Sequence, residues 1–390
     1  MRGSIEPQGT GERKKSYRLT VDLGRDETGK RRRHRETFVG SKKDAERRMR
    51  EILTEVETGM YLPPSHMTTG QYLERWSENY AALHTSPRTA SSYQAELRRH
   101  IIPGIGDIPL TELRPHHIEQ YYVQAVKSGR KDGTGGLAPK TVLYHHRIIS
   151  EALEHAVRQG ELVRNCAKLV DPPRPKRAKV NTLTRDDSIR FLEAARESQY
   201  FYLFAIALGT GARLGELLAL IWRNVDMERG NITIDATLYR EGSEWYRKQP
   251  KSGRSRNVPL PPSFMPYLRD YRTTIESERA SIGLALSQDD FVFHTAQGKP
   301  LDRHSVSRGF ARVLNLSGLP HIRFHDLRHT HASLMLQDGN SAKVVSERLG
   351  HASAAFTLDT YGHVMPGIQE DAAARFGALF GNALPEGKEN

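Results

Sequence analysis

The sequence predicts a multidomain, mainly α-helical protein with small β-sheets, whose last domain mixes helices and strands. The chain of 390 residues is longer than one typical domain, so two or three domains are expected. A hydrophobic content of 37% is enough to form separate cores. Helical periodicity fills the middle of the chain, while strand-like alternation precedes it and returns from Asn231.

Residues 1–66 are predicted to form a small sheet with one helix over it. The runs "SYRLTVDLG" and "RRRHRETFVG" flank the turn-like "RDETGK", as in a β-hairpin. Ser41 and Asp44 then have the spacing of a helix capping pair. After them, one helical face is formed by the apolar residues Ala45, Met49, Leu53 and Val56.

The most polar feature of this segment is the basic run in its second strand. A solvated strand edge or a flexible basic tail would account for such a run. Contact with DNA phosphates is favoured, because the run has a strand-like context and the whole chain is basic. The candidate DNA-binding residues are Arg31, Arg32, Arg33 and Arg35, with His34 between them.

Residues 67–170 are predicted to be a bundle of short helices. Four helices begin with residues typical of helix starts, namely Thr69, Ser86 with Pro87, Pro115 and Pro139. The aromatic side chains of these helices are assigned to the core in preference to a base-stacking role.

Residues 171–181, "DPPRPKRAKVN", break the helical periodicity with three prolines and carry four cations. This composition predicts an extended basic linker that would suit a path along DNA. Its candidate DNA-binding residues are Arg174, Lys176, Arg177 and Lys179.

Residues 182–390 are predicted to form a mixed α/β domain that carries the chemistry. "LTRDDSIRFLEAARES" predicts a capped helix, and "FYLFAIALGTGARLGELLALIWRNVD" predicts two helices around a glycine break. Arg213 begins the second of these, where a buried guanidinium would require an anionic partner. "NITIDATLY" and "EWYRKQPKSGRSRNVPL" predict strands.

The charge balance points to a nucleic-acid partner. The formal net charge is +12 and the pI about 9.7, which favours a polyanion, nucleic acid before membrane. The longest apolar run, "FYLFAIAL", is too short to span a bilayer, and the amino terminus lacks the apolar core of a signal peptide. The single cysteine, Cys166, excludes an internal disulfide framework. We therefore expect an intracellular, nucleic-acid-associated protein without a membrane partner.

Two histidine-rich stretches, "RFHDLRHTHASLMLQDG" and "LGHASAAFTLDTYGH", allow three interpretations. His325 and His329 are four residues apart and could share a metal, but their cationic surroundings would repel a divalent ion. An ordinary polar surface is the second interpretation. A phosphate pocket is the third, and it also explains Arg213, because arginine matches phosphate oxygens in a bidentate manner. No metal site is predicted.

At these residues the sequence resembles the tyrosine recombinase, or phage integrase, family of site-specific recombinases. "TGARLGELLAL" is similar to the family's first arginine box, "QPKSGRSRNVPL" to its lysine hairpin, "HDLRHTHAS" to its second box, and "LGHASAAFTLDTYGHV" to the segment with the third histidine and the nucleophile. The resemblance implies a catalytic set of Arg213, Lys251, His325, Arg328, His351 and Tyr361, with Glu216 as a structural support. Lys248, three residues before Lys251, is the alternative lysine.

The resemblance also implies the chemistry and the partners. Tyr361 would attack a DNA phosphodiester to leave a 3′-phosphotyrosine, with His325 as proton acceptor and the lysine as proton donor to the departing oxygen. The expected partners are double-stranded DNA at core and arm sites, a homotetramer on that DNA and, beyond these, a host bending factor and an excisionase. No cofactor is expected. The resemblance further implies a bacterial, cytoplasmic, nucleoid-associated protein. A related topoisomerase or resolvase and a non-enzymatic DNA-binding protein are the alternatives.

The tail after Tyr361 is predicted to contain a short helix from about Glu370 to Phe380. Phe376, Leu379 and Phe380 would form one apolar face. Docking of this face on its own catalytic domain and docking on a neighbouring protomer are the two interpretations.

Overall fold

The computed structural model describes most of the chain. The described residues are 3–8, 16–25, 29, 31–58, 61, 67–176, 181–241, 244–249, 255–351, 353–361, 373–374 and 376–377. Most of the predicted tail helix therefore lies outside the described residues. The chain divides into two compact units, 1–177 and 178–390, and the boundary lies inside the predicted basic linker.

The first unit begins with a three-stranded antiparallel sheet in the order β1-β2-β3. Its strands are β1 (Gly3–Gln8), β2 (Ser16–Arg25) and β3 (Arg31–Val39). The predicted hairpin is therefore present as β2 and β3. Strand β1 was not predicted; it contains Pro7, which is tolerated because β1 is an edge strand.

Helix α1 (Lys42–Glu57) packs on one face of this sheet. Its N-cap is Ser41, whose side chain accepts a hydrogen bond from the backbone N–H of Asp44, as the spacing predicts. The small core between sheet and helix contains Leu19, Val21, Ala45, Met49 and Ile52. Ile52, and not the predicted Leu53, is the buried residue of its turn, and Leu53 is half-buried at the margin of the core.

The rest of the first unit is helical. Its helices are α2 (Thr69–Trp76), α3 (Ala82–His84), α4 (Pro87–Glu96), α5 (Ile102–Ile105), α6 (Pro115–Ser128) and α7 (Pro139–Arg158), with π-helical turns at Ser77–Ala81 and Leu97–Ile101. The predicted starts at Pro87, Pro115 and Pro139 are correct. The first cap is Thr68 and not Thr69, because Thr68 forms a capping box with Gln71 and Thr69 is buried in the first turn.

The aromatic residues of the bundle belong to its core, as expected, and histidines satisfy their hydroxyl groups. Tyr121 and Tyr122 lie 2.8 Å from His145 and His146, respectively, measured from phenol oxygen to Nδ1. Pairs of this kind let a tyrosine bury its ring without leaving an unpaired O–H group.

The second unit mixes helices with two small sheets. Its helices are α8 (Arg185–Ala195), α9 (Phe201–Thr210), α10 (Leu214–Leu218), α11 (Met265–Ser281), α12 (Arg303–Leu316), α13 (Asp326–Gln337), α14 (Ala342–Leu349) and α15 (Ala354–Tyr361). Its strands are β4 (Val225–Asp226), β5 (Asn231–Ile234), β6 (Thr237–Glu241), β7 (Glu244–Lys248) and β8 (Arg256–Pro259).

The strands form an antiparallel sheet β4-β5-β8 and a separate hairpin β6-β7. "NITIDATLY", predicted as one strand, is split between the two sheets. The chain changes partner at Asp235, whose carboxylate accepts a hydrogen bond from Arg247 of β7 at 2.6 Å. Helix α9 is almost wholly buried in the core of this unit. Among the described helices, none combines the length and the apolar character that crossing a bilayer would require.

Candidate active site

Arg328, in the first turn of α13, is the most deeply buried cation of the site. Its guanidinium donates to the carbonyl oxygens of Gly211 at 2.9 Å and Leu349 at 2.7 Å. Both carbonyls lie at the C-terminal ends of helices, α9 and α14, where the helix dipole favours a positive charge. No described carboxylate forms an ion pair with Arg328.

Gly211 allows α13 and α14 to pack closely against the end of α9. Its φ of 64° lies in the left-handed region that glycine tolerates best. A Cβ atom there would lie 2.5 Å from Cδ2 of Leu349 and 2.7 Å from Cδ2 of His331. The predicted glycine break is therefore the end of α9, where Gly211 adopts the left-handed backbone conformation and α13 and α14 pack against it.

Glu216 of α10 fixes the second guanidinium. It accepts from the backbone N–H of Arg213 at 2.8 Å and from the Arg213 guanidinium at 2.9 Å. Arg256 of β8 donates to the same carboxylate at 3.1 and 2.7 Å. Burial alone would raise the pKa of Glu216, but Arg256 and Arg213 hold it below the ordinary value.

Arg213 itself is not buried, contrary to the prediction. Its side chain is 44% exposed, while that of Glu216 is 2% exposed. The predicted anionic partner is present in Glu216. Burial and the neighbouring Arg213 lower the pKa of Arg328 to about 9, so the Arg328 guanidinium is still charged at neutral pH. An exposed and a buried arginine thus lie side by side.

His351 follows α14 and is half-buried. Its Nδ1 lies 2.8 Å from the Thr357 hydroxyl, which leaves Nε2 as the nitrogen available to another ligand. Burial, together with Arg328 and Arg213, lowers the pKa of His351 to about 3. The imidazole is therefore neutral at pH 7 when no anion is bound.

Tyr361 is the last residue of α15 and only 1% exposed. It packs with Ala332, Leu336, Val345 and Leu349 of α13 and α14. Burial raises the pKa of its phenol to about 12, although Arg328 opposes this shift. Its hydroxyl lies 2.6 Å from Nδ1 of His329.

His325 immediately precedes α13. Desolvation of its ring, followed by the charge of Arg328, lowers its pKa. Its ring meets that of His329 edge to face, with centroids 5.1 Å apart. Among the described residues, no group of three or more His, Cys, Asp or Glu side chains could hold a metal ion.

Two parts of the chain match known protein families. Residues 181–367 match the phage integrase family, and residues 68–125 match the N-terminal SAM-like domain of phage integrases. The chain belongs to the tyrosine recombinase family. Members of this family cleave and rejoin DNA.

Relatives of similar length support the same assignment. The tyrosine recombinase XerC-like protein of Caldanaerobacter subterraneus is 28% identical over 94% of this chain and 97% of its own. An integrase of Streptomyces ambofaciens is 26% identical over 94% of each chain.

Solved structures with the same fold include the Tn1549 transposon integrase in complex with a circular intermediate DNA. That match has a TM-score of 0.66 at 19% identity and covers 79% of this chain and 99% of the other. The lambda integrase tetramer bound to a Holliday junction matches with a TM-score of 0.56 at 20% identity, over 90% of this chain and 96% of the other. At this identity the likeness concerns the fold.

Of the predicted catalytic set of this recombinase, five residues and their supporter Glu216 lie in the described second unit. Arg213, Arg328 and His351 are close enough to influence one another through their charges, and the charge of Arg328 also acts on Tyr361. Lys251 lies outside the described residues. The alternative, Lys248, is exposed at the end of β7, opposite Thr237.

The predicted DNA-binding residues of the recombinase lie in the first unit or near its end. Arg31, Arg33 and Arg35 are exposed on β3, and Arg174 and Lys176 are exposed before the unit boundary. Because β3 alternates, these three arginines lie on the sheet face opposite His34, which is buried on the side of α1. The side chain of Arg32, and Arg177 and Lys179 altogether, fall outside what the structure describes.

Three residues of the candidate site were not predicted in their observed roles. Arg256 holds Glu216, and Arg348 of α14 donates to the carbonyls of Gly209 at 2.9 Å and Pro259 at 2.6 Å. His329, considered only as a metal ligand, contacts Tyr361. A sequence signal existed for Arg256: it shares a face of β8 with buried Val258, and a cation at an inward strand position requires an acidic partner.

Proposed function

We propose that this protein is a site-specific integrase that cleaves DNA through a 3′-phosphotyrosine on Tyr361 and so integrates or excises a mobile element. The observation that carries the proposal is the buried Arg328, which has two carbonyl partners but no described carboxylate in an ion pair. A buried guanidinium is costly unless an anion compensates it. A scissile phosphate between Arg328 and exposed Arg213 would supply that anion, beside a buried tyrosine.

In the cleavage step, the phenol oxygen of Tyr361 forms a bond to phosphorus as the bond from phosphorus to the 5′-oxygen breaks. Arg213 and Arg328 neutralise the charge that builds on the non-bridging oxygens, a contribution of about 3–4 kcal/mol for one such donor in other enzymes. Nε2 of His351 donates to one of these oxygens. Lys251, with Lys248 as the alternative, protonates the leaving 5′-oxygen.

The covalent intermediate retains the energy of the phosphodiester, so rejoining requires no nucleotide. The 5′-hydroxyl of a second strand attacks phosphorus and gives its proton to the lysine. The bond from phosphorus to the tyrosine oxygen breaks, and the tyrosine regains its proton. The chemistry assigned here to arginine, lysine and histidine gives a metal ion no role.

The DNA contacts are assigned to three separate regions. Residues 1–66 form the arm-binding domain, with Arg31, Arg32, Arg33 and Arg35 on phosphates, and residues 67–170 form the core-binding domain. Residues 171–181 are the basic linker, through Arg174, Lys176, Arg177 and Lys179. Residues 182–390 are the catalytic domain and tail. A homotetramer on paired sites follows from the tetrameric lambda integrase and from the need to exchange strands between two duplexes. The bacterial cytoplasm is the matching compartment, with a host bending factor and an excisionase as accessory proteins.

A nicked core-site duplex tests the enzymatic proposal. On cleavage next to the nick, a short 5′ fragment diffuses away and traps the protein on the DNA. We expect the wild-type protein to give an adduct that survives a denaturing gel, and Tyr361→Phe to bind the same duplex with unchanged affinity but give no adduct.

An adduct formed by Tyr361→Phe would show that another residue is the nucleophile. Absence of an adduct with the wild-type protein, on DNA that it binds specifically, would favour the non-enzymatic DNA-binding protein. Relaxation of supercoiled DNA without exchange between duplexes would favour the topoisomerase, and closure of the cut ends into hairpins would favour the resolvase.

A further inference from the structure

The phenol of Tyr361 is in contact with His329 and not with His325, the residue expected to take its proton. The Oη–Nδ1 distance of 2.6 Å is short for a hydrogen bond between neutral groups. His329 follows Arg328 directly on α13. The helix therefore presents one side chain to the phosphate and the next to the nucleophile.

The environment of His329 keeps its imidazole neutral, so a ring nitrogen can accept the hydrogen bond of the phenol. The ring is half-buried, and burial followed by the proximity of His325 lowers its pKa to about 4. At pH 7 the imidazole is thus neutral and one of its nitrogens carries a lone pair. With the proton on Nε2, Nδ1 is the acceptor for the phenol proton.

The charges that face His329 come from its own helix and from the segments around it. They are His325, Asp326, Arg328, Arg323, His351 and Tyr361. Asp326 is bound to Arg323 through both carboxylate oxygens, so its negative charge is largely compensated. Protonation of His329 in the empty site is therefore unfavourable, whereas an anionic phosphate at Arg328 would favour it.

We propose that His329 is a catalytic residue, the base that removes the proton of Tyr361 during cleavage and returns it during rejoining. As the phenol oxygen bonds to phosphorus, its proton passes to Nδ1 of His329, and the electron pair of the breaking bond leaves on the 5′-oxygen. In rejoining, the phenolate departs and recovers that proton. This inference rests on the proposed function of Tyr361.

His325 then has a different role in the reaction. It precedes the helix, and its ring meets that of His329 edge to face, with the centroids 5.1 Å apart. The contact with the nucleophile belongs to His329, so His325 remains available to the phosphate or the leaving group.

Single-turnover cleavage by the full-length protein tests this assignment. The variants are His329→Gln, which can still hydrogen-bond the phenol but is a far weaker base, and the matched control His321→Gln at an exposed histidine. We expect His329→Gln to bind DNA normally and to cleave about 10²- to 10⁴-fold more slowly, the usual contribution of general base catalysis. Its rate should rise about tenfold per pH unit between pH 6 and 8, because hydroxide must now remove the proton. The wild type and His321→Gln should change little over that range.

A substrate with sulfur in place of the bridging 5′-oxygen distinguishes base from acid. A thiolate leaves without protonation, so this substrate should restore Lys251→Ala but not His329→Gln. Restoration of His329→Gln would assign His329 to the leaving group and overturn the proposal. Cleavage by His329→Gln at the wild-type rate would overturn it as well.

A fluorinated tyrosine at position 361 covers the case in which His329→Gln binds DNA poorly. A phenol of lower pKa needs less help from a base, so the fluorinated residue should recover a large part of the activity lost in His329→Gln. A purely structural role of His329 predicts no recovery. In each of these experiments, an adduct that is lost in Tyr361→Phe leaves the proposed function intact, whatever the result for His329.

Discussion

Glu216 is the residue on which the arrangement of cations at the site depends. Its buried carboxylate is shared by Arg213 and Arg256, and those bonds overcome the effect of burial on its pKa. Because the folded-state pKa lies below the value of the unfolded chain, Glu216 stabilises the fold above about pH 4.3. That stabilisation is lost as the pH falls through the folded-state pKa.

We expect Glu216→Gln to lower the free energy of unfolding at pH 7 by about 3 kcal/mol, because it leaves two guanidinium groups facing an uncharged partner. The difference from the wild type should shrink in acid, where the carboxylate is protonated. Urea denaturation at pH 7 and in acid measures the free energy of unfolding of both proteins under each condition. Glu276→Gln, which removes an exposed pair with Arg272, is the control and should cost at most about 1 kcal/mol. Equal losses in the two variants would contradict the central role of Glu216.

For single residues, the sequence indicated positions that the structure brings near one another, but it did not indicate how they are held. The motif positions Arg213, Arg328, His351 and Tyr361 lie near one another, and the charge of Arg328 acts on His351 and Tyr361. The burial of Arg213 was predicted wrongly, because exposure depends on which side of α10 faces solvent. The contact of His329 depends on where α15 packs, and residue spacing along α13 carries no information on that.

Among the elements, β3 has the feature with the clearest functional consequence. Arg31, Arg33 and Arg35 are exposed, and alternate residues of a strand are about 6.8 Å apart. That interval is close to the rise of two base-pair steps along the DNA helix axis, about 6.8 Å at 3.4 Å per step. One strand can therefore offer three cations to phosphates of a single backbone.

We expect replacement of all three arginines by Gln to weaken binding to accessory sites and to flatten its salt dependence. The slope of log K against log salt should fall in magnitude by about 2.7, or about 0.9 for each phosphate that the variant leaves without a cation. Binding isotherms at several salt concentrations measure this slope. The control replaces Lys42, Lys43 and Arg50 of α1, which removes the same charge from the helix and should leave the slope nearly unchanged. An equal change in both variants would mean that charge acts without regard to position.

Local signals predicted the elements well wherever the signal is itself local. Ser41, Ser86 and Thr184 cap helices through hydrogen bonds to the first turn. Strand β1 has no such signal, since it forms by pairing with β2 across a separate stretch of chain. The division of "NITIDATLY" likewise depends on the distant partner β8.

For the whole molecule, the separation of hydrophobic cores bears on its modular construction. The described core of the amino-terminal sheet and α1 shares no residue with the core of the helical bundle. The second unit has its own core, built around α9. Each part therefore buries apolar side chains largely among its own elements.

We expect deletion of residues 1–66 to abolish binding to accessory sites and to leave cleavage of a nicked core-site oligonucleotide within about threefold of the wild-type rate, a change worth less than about 1 kcal/mol. Filter binding and a denaturing gel measure the two activities on one preparation. If the truncated protein binds the core site but cannot cleave it, the amino-terminal sheet contributes to catalysis and the modular interpretation is wrong.

The left-handed turn at Gly211 has a consequence for genetics. A single added methyl group there would collide with Leu349 and His331, and its carbonyl is one of two that hold Arg328. An allele encoding alanine at this position would change no reacting atom, yet a screen would classify it with the loss of the nucleophile. Inactivating substitutions are therefore expected not only at the six motif positions but also at the backbone positions that hold them.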